Sequence, residues 1–197
     1  VIWYNKPDED GVLDNVINTN DQTELGVATP QWYASWSNNV NWKNFSLSVN
    51  FYLSWGGKIW NDVKRYYTSW GGNTHKQSPE YILQGWKYPG EITTWYALDS
   101  RSRKSQNHSL SLSDQFLEDG SFLRLQDVRL SYTLNRQWLT RTPIRNVQAY
   151  VYGKNLITWT NYTGFDPEVR MSVLNPGKDS SSYPRSREFG FGFNLVF

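Results

Sequence analysis

The chain has 197 residues, the length of one or two ordinary domains, with 19% charged residues and a mean hydropathy of −0.68. No run approaches the roughly 18 consecutive apolar residues of a membrane-crossing helix, and a net charge of +2 is too small to point to a nucleic-acid partner. Cysteine is absent, which excludes disulfides and thiol chemistry. None of this excludes a β-barrel, whose half-polar strands dilute the hydropathy signal. Aromatic residues reach 17%, with 11 Trp and 13 Tyr. Such rings suit interfaces, either lipid headgroup girdles or ligand surfaces, where an apolar body meets a wet edge.

In chain order, Val1 to Tyr4 reads as the end of a strand. The opening has neither the basic lead nor the long apolar core of a signal peptide, so either processing removed one or the chain is a piece of something longer. Asn5 to Thr29 is rich in Asn, Asp, Thr and Gly, the residues of turns and loops. After Pro30, Trp32, Ala34 and Trp36 alternate with Tyr33, Ser35 and Ser37, and Asn38 to Asn44 reads as a polar turn. From Asn44 to Trp55 the alternation is clearest. Phe45, Leu47, Val49, Phe51, Leu53 and Trp55 fall on one face, and Ser46, Ser48, Asn50, Tyr52 and Ser54 on the other.

Gly56 and Gly57 break that strand, and a long segment carrying Trp60, Trp70, Trp86 and Trp95 runs to Gly120. Short helices are expected within Asn61 to Ser69 and Ser78 to Trp86, the second opened by Ser78 as cap and Pro79 in the first turn. Strand character returns from Ser121 to Leu134, where Val128, Leu130, Tyr132 and Leu134 oppose Asp127, Arg129, Ser131 and Thr133. At its start both parities are bulky, with Phe122, Leu123 and Leu125, and the facing is left open. A turn from Asn135 to Pro143 leads to a strand from Ile144 to about Thr158, with Val147, Ala149 and Val151 outward and Gln148, Tyr150, Tyr152 and Lys154 inward. Asn161 to Pro184 is a loop. In the last eleven residues Phe189, Phe191, Phe193, Leu195 and Phe197 alternate with Glu188, Gly190, Gly192, Asn194 and Val196.

Connection lengths choose the architecture. Between about six strands, long and short connections alternate, which is the rule for an outer-membrane barrel with short periplasmic turns and long extracellular loops. A β-sandwich has no reason to obey it. Six strands are too few to close, and an open sheet in lipid leaves unpaired edge groups. The expectation is therefore all-β: about six antiparallel strands forming, over residues 1–197, the C-terminal part of a larger transmembrane barrel. The alternative is an aromatic-rich β-sandwich that binds glycans without transport.

Several stretches, in order, carry a family likeness. Leu25-Gly-Val-Ala-Thr-Pro30 precedes an aromatic strand, and Phe45-Ser-Leu-Ser-Val-Asn-Phe is followed by Gly56-Gly57-Lys58-Ile59. Gly85 to Ile92 forms a Trp-x-x-Pro-Gly loop, without the Pro-Arg that commonly follows. The most specific stretch runs from Ser113 to Val128, including Glu118-Asp119-Gly120-Ser121-Phe122-Leu123-Arg124-Leu125. Asn155-Leu-Ile-Thr-Trp-Thr160, Gly164-Phe-Asp-Pro-Glu-Val169 and Tyr183-Pro184 complete the set. Together they resemble the SusC/RagA-type TonB-dependent transporters of the Bacteroidota outer membrane.

The resemblance implies energised uptake of an oligosaccharide or peptide, with loops extracellular, a SusD-like surface lipoprotein as lid and the TonB complex acting through an N-terminal part outside this chain. It implies that Phe193, Leu195 and Phe197 carry the signal read by barrel-assembly machinery, besides facing lipid. Asp127, Arg129 and Gln148 would line the lumen. Trp60, Trp70, Trp86 and Trp95 are candidates to stack on sugar rings or meet the lid, against the alternative of loop packing or a girdle. Asp166 and Glu168 are candidate contacts too, against the alternative of a loop cap, two carboxylates being too few oxygens for calcium. His75 and His108 have no second ligand at usable spacing. No catalytic residue, metal site or cofactor is expected, no phosphate loop or nucleophile elbow appearing.

Overall fold

The computed structural model describes residues 7, 10–13, 21–68, 78–93, 95, 114–168 and 176–197. Within Val27–Trp60 and Glu118–Phe197, five long strands form one antiparallel sheet: β1 (Trp32–Trp42), β2 (Phe45–Trp55), β5 (Phe122–Thr133), β6 (Asn146–Thr160) and β8 (Glu188–Val196), in that spatial order. A smaller sheet joins β4 (Leu117–Asp119), β3 (Lys58–Asn61) and β7 (Lys178–Asp179), with β3 central. In the other unit, α1 (Asp62–Thr68) and α2 (Pro79–Gln84) occupy the two segments expected to be helical. Ser78 precedes Pro79 in extended conformation, but its side chain makes no capping bond. Among the described residues no helix is long and apolar enough to cross a membrane.

The sheet has five strands where about six were expected, residues 1–6 lying outside the described residues. The turn expected over Asn38 to Asn44 is also shorter. β1 runs on to Trp42 and only Lys43 and Asn44 link it to β2, with Lys43 at φ 52°. Val40 and Trp42 continue the apolar row opposite Leu47 and Phe45, while Asn39 and Asn41 continue the polar row opposite Ser48 and Ser46. Asparagines that read as turn residues are the wet face of a strand.

The ambiguous start of β5 is explained by a shift in register. Against β2, Val128 pairs Val49 and Leu125 pairs Phe51, so β5 carries one residue more than β2 between the pairs and its apolar parity changes from even to odd. Leu123 and Leu125 thus join the row of Val128, Leu130 and Tyr132. Phe122 and Arg124 turn to the opposite face and are buried there. β6 has its own irregularity beside this one, at Asn155 with φ 51°. There the Leu156 side chain lies where a Gly153 Cβ would stand, 2.7 Å away.

In register, the apolar rows of all five strands align. Trp36 opposes Phe51, Leu47 opposes Leu130, Leu130 opposes Val151, and Val151 opposes Phe191. This face is open: Phe189, Phe191 and Phe193 are 76%, 78% and 66% exposed. A β-sandwich would cover them with a second sheet, and among the described residues none does. Aromatic rings sit at both ends of the band. Trp32, Trp55 and Trp159 stand at one end; Trp42, Phe45 and Tyr132 stand at the other, with the Lys43 ammonium 5.0 Å from the Trp42 ring.

The short links, β1 to β2 and β5 to β6, share the end where Trp42, Phe45, Thr133, Asn146 and Val196 lie. The long ones, β2 to β5 and β6 to β8, leave from the other end. Expected alternation and observed topology agree.

Candidate functional site

The polar face of the sheet is built by the residues between the apolar rows. Asp127 pairs with Asn50 on one side and Lys154 on the other. The Arg129 guanidinium lies 3.9 Å from the Tyr150 ring centroid, and the Gln148 Oε1 accepts a bond from Asn194 Nδ2 at 3.2 Å. Asp127, Arg129 and Gln148 thus share the face assigned to them by parity. Lys154 and Glu188 approach to 3.7 Å across the β6–β8 pair, both half exposed, so the pair adds little to stability.

Gly190 and Gly192 have a reason that periodicity does not show. A Cβ at Gly190 would stand 2.5 Å from the Tyr152 ring, and one at Gly192 2.5 Å from the Tyr150 hydroxyl. The two tyrosines of β6 lie flat across β8 because β8 is bare there. The outcome is a wall of tyrosine, arginine and lysine.

At the long-connection end an ion-pair network closes the wall. Arg124, 2% exposed, donates from Nη2 to Asp166 Oδ1 at 2.5 Å and from Nη1 to Glu168 Oε2 at 2.9 Å. Arg185 Nη2 donates to Glu168 Oε1 at 2.5 Å, and its backbone N–H to Asp166 Oδ2 at 3.0 Å. The Glu168 N–H reaches Asp166 Oδ1 at 2.9 Å. Burial pushes the Asp166 carboxyl upward, but these two backbone donors and the Arg124 guanidinium outweigh it and hold the group below the usual carboxylate range. Asp166 thus acts as a structural clamp at this end of the wall. Glu168, partly exposed, is held between two arginines.

Neighbouring locks explain the other sequence stretches. Asp119 Oδ1 accepts from Ser121 N at 3.1 Å and Ser121 Oγ at 2.8 Å, and Ser121 Oγ accepts from Gly56 N at 3.0 Å. Glu118 binds the backbone N–H of Thr163 at 2.8 Å and its hydroxyl at 2.7 Å. Tyr162 donates to the buried Asp179 at 2.6 Å. Burial first, and then that carboxylate, raise the Tyr162 phenol above the ordinary tyrosine range.

Between these locks lies a cavity of about 280 Å³ lined by Arg124, Thr158, Phe165, Asp166, Arg185 and Arg187, among others. Sequence reasoning missed Arg124, Arg185, Arg187, Tyr162 and Asp179. The one available signal was Arg124, a charge inside an otherwise greasy strand start.

The candidate tryptophans are scattered. Trp60 is half buried in β3, its backbone N–H donating to Gly177 O at 2.7 Å. Trp95 is buried, 4% exposed, so its ring is no open platform. Trp86 is exposed, and its backbone N–H donates to Trp95 O at 3.2 Å. Trp70, His75 and His108 lie outside the described residues. Phe193, Leu195 and Phe197 are exposed on the apolar face and at the chain end.

No protein-family model matches the chain. It is 30% identical over 92% of its length to the TonB-dependent receptor P3 of Formosa agariphila, covering 18% of that protein. It is 34% identical to the TonB-dependent receptor SusC of Bacteroides thetaiotaomicron over 44% of its length and 8% of the receptor's. A solved structure of the RagAB peptide importer in the open-open state superposes on 98% of the chain with a TM-score of 0.75 and 27% identity, covering 20% of the matched chain. The chain spans about a fifth of the length of the longest-matched relatives.

Proposed function

Homology to the SusC/RagA-type TonB-dependent receptors extends over nearly the whole chain, and from it we propose that residues 1–197 form the C-terminal wall of an outer-membrane nutrient importer. The observation that carries this is the open apolar face. Five aligned strands present it, aromatic rings bound it at both ends, and a polar, charged face backs it. An 11-residue strand is about 36 Å long at 3.3 Å per residue, and a tilt near 40° brings that to about 28 Å, enough to span the roughly 25 Å of a barrel's lipid-facing band. β1 and β8 are the sheet's edge strands. In lipid their free edges require further strands, which the much longer relatives have room to supply.

On this reading the long connections are extracellular, and Asp127, Arg129 and Gln148 line the lumen. The solute is an oligosaccharide or peptide. A SusD-like lipoprotein covers the mouth, the TonB complex supplies force through a part of the protein outside this chain, and Phe193, Leu195 and Phe197 engage the barrel-assembly machinery.

The full-length receptor should fractionate with the outer membrane and migrate differently on a gel before and after boiling. Its deletion should abolish uptake of a labelled oligosaccharide or peptide by the parent strain. A soluble, heat-insensitive product would refute the reading. Removing Phe197 should lower the amount of folded receptor in cells while leaving refolding from urea into detergent unchanged; equal loss in both would deny it an assembly role.

A further inference from the structure

We infer that the cavity beside Arg124 is a binding subsite for a carboxylate group of the imported solute. The inference rests on the transport reading and adds the chemistry of the cargo.

The cavity has room for a small anionic group. Three arginines line it, Arg124, Arg185 and Arg187, together with Asp166. Glu168 balances part of this charge by bridging Arg124 and Arg185. Asp166 and Glu168 together compensate two of the three cations, and among the described residues Arg187 has no ion pair or hydrogen bond. Arg124 contributes charge and not a free donor: its two terminal nitrogens are engaged by Asp166 and Glu168, and its Nε is buried.

Arg187 is exposed beside this cavity and has no carboxylate partner among the described residues, so the lining keeps a net positive charge that favours an anion. A carboxylate fits, because its two oxygens match the planar fork of an arginine. Thr158 adds a hydroxyl to the lining, and Phe165, mostly exposed, offers a ring face at the rim for the apolar body that carries the carboxylate. Arg124 and Thr158 belong to strands of the wall, so the subsite is fixed by the sheet.

The carboxylate could belong to a uronic-acid sugar or to a peptide C-terminus, and the probes separate the two. Binding to the purified full-length receptor in detergent would be measured for tri-galacturonate and its neutral methyl ester, and for an alanine tripeptide and its C-terminal amide. One acid should bind at least about tenfold more tightly than its neutral partner, the worth of one charge-assisted bond. Arg187→Gln should remove that preference and leave the neutral probe unchanged, and Arg187→Lys should restore part of it. Equal binding of acid and neutral forms, no binding of either acid, or an acid preference untouched by Arg187→Gln would overturn the inference. Heat-dependent gel migration of the wild-type receptor distinguishes this failure from failure of the barrel reading, since a folded wild-type receptor without acid preference refutes only the subsite, and the same assay on Arg187→Gln shows that the variant is folded.

Discussion

At the scale of single residues, stability at the long-connection end rests on two buried acids in opposite situations. Asp166 is ionised and surrounded by donors, and its folded pKa lies below the unfolded value. Its contribution is therefore fully present above the unfolded pKa, about 3.9, and is lost as pH falls through the lower folded value. Asp166→Asn should cost about 3 kcal/mol near neutrality, because Arg124 is left buried without its closest partner. Urea titrations of the full-length receptor at several pH values should show wild type and variant running parallel above about pH 5 and converging below about pH 4. Tyr162 is the reverse case. Its folded pKa is raised, so its stabilisation is complete below the unfolded value of about 10 and disappears as pH rises through the folded one. Tyr162→Phe should cost about 1–3 kcal/mol near neutrality by leaving Asp179 short of a donor. A variant as stable as wild type at neutral pH would contradict this assignment.

At the scale of elements, the small sheet is locked by backbone that cannot yield. Gly177 adopts φ +73°, and a Cβ there would stand 2.5 Å from the Ala28 side chain and 2.8 Å from the Lys58 carbonyl. Gly177→Ala combines left-handed strain with that clash, and should cost about 2 kcal/mol. Accelerated proteolysis within the β2–β5 or β6–β8 connections, with the wall itself intact, is the expected readout. Elements of this kind divide what the residues reveal from what they conceal. The Phe45–Trp55 and Glu188–Val196 strands were legible because two faces of different chemistry need only a period of two. Their neighbours were less so. The start of β5 hid its facing behind a register shift, which reverses parity without any marker residue, and the end of β1 hid behind asparagines that serve a wet face as readily as a turn. Arg124 with Asp166 and Glu168, and Tyr162 with Asp179, were not legible as pairs. Their partners stand 42, 44 and 17 residues apart, brought together by loop paths that carry no periodicity.

At the scale of the molecule, one sheet separates two environments, and the cost of a misplaced charge should map them. If the apolar face meets lipid, as proposed, an arginine at the middle of a strand must be dragged into hydrocarbon, whereas at the aromatic ends it can reach the headgroups. Phe191 lies midway along β8, opposite Val151, and Trp32 begins β1 at the end of the band. Phe191→Arg should therefore cost about 2–4 kcal/mol and Trp32→Arg about 0–1 kcal/mol. Gln148→Arg, on the polar face, should stay within about 0.5 kcal/mol. Urea-driven unfolding of the full-length receptor from lipid vesicles measures all three on one scale. The ranking is the test, because a water-facing sheet would treat Phe191→Arg and Trp32→Arg alike, and a face covered by protein would penalise both. Only hydrocarbon bounded by two polar interfaces makes the penalty peak in the middle and fade at the ends.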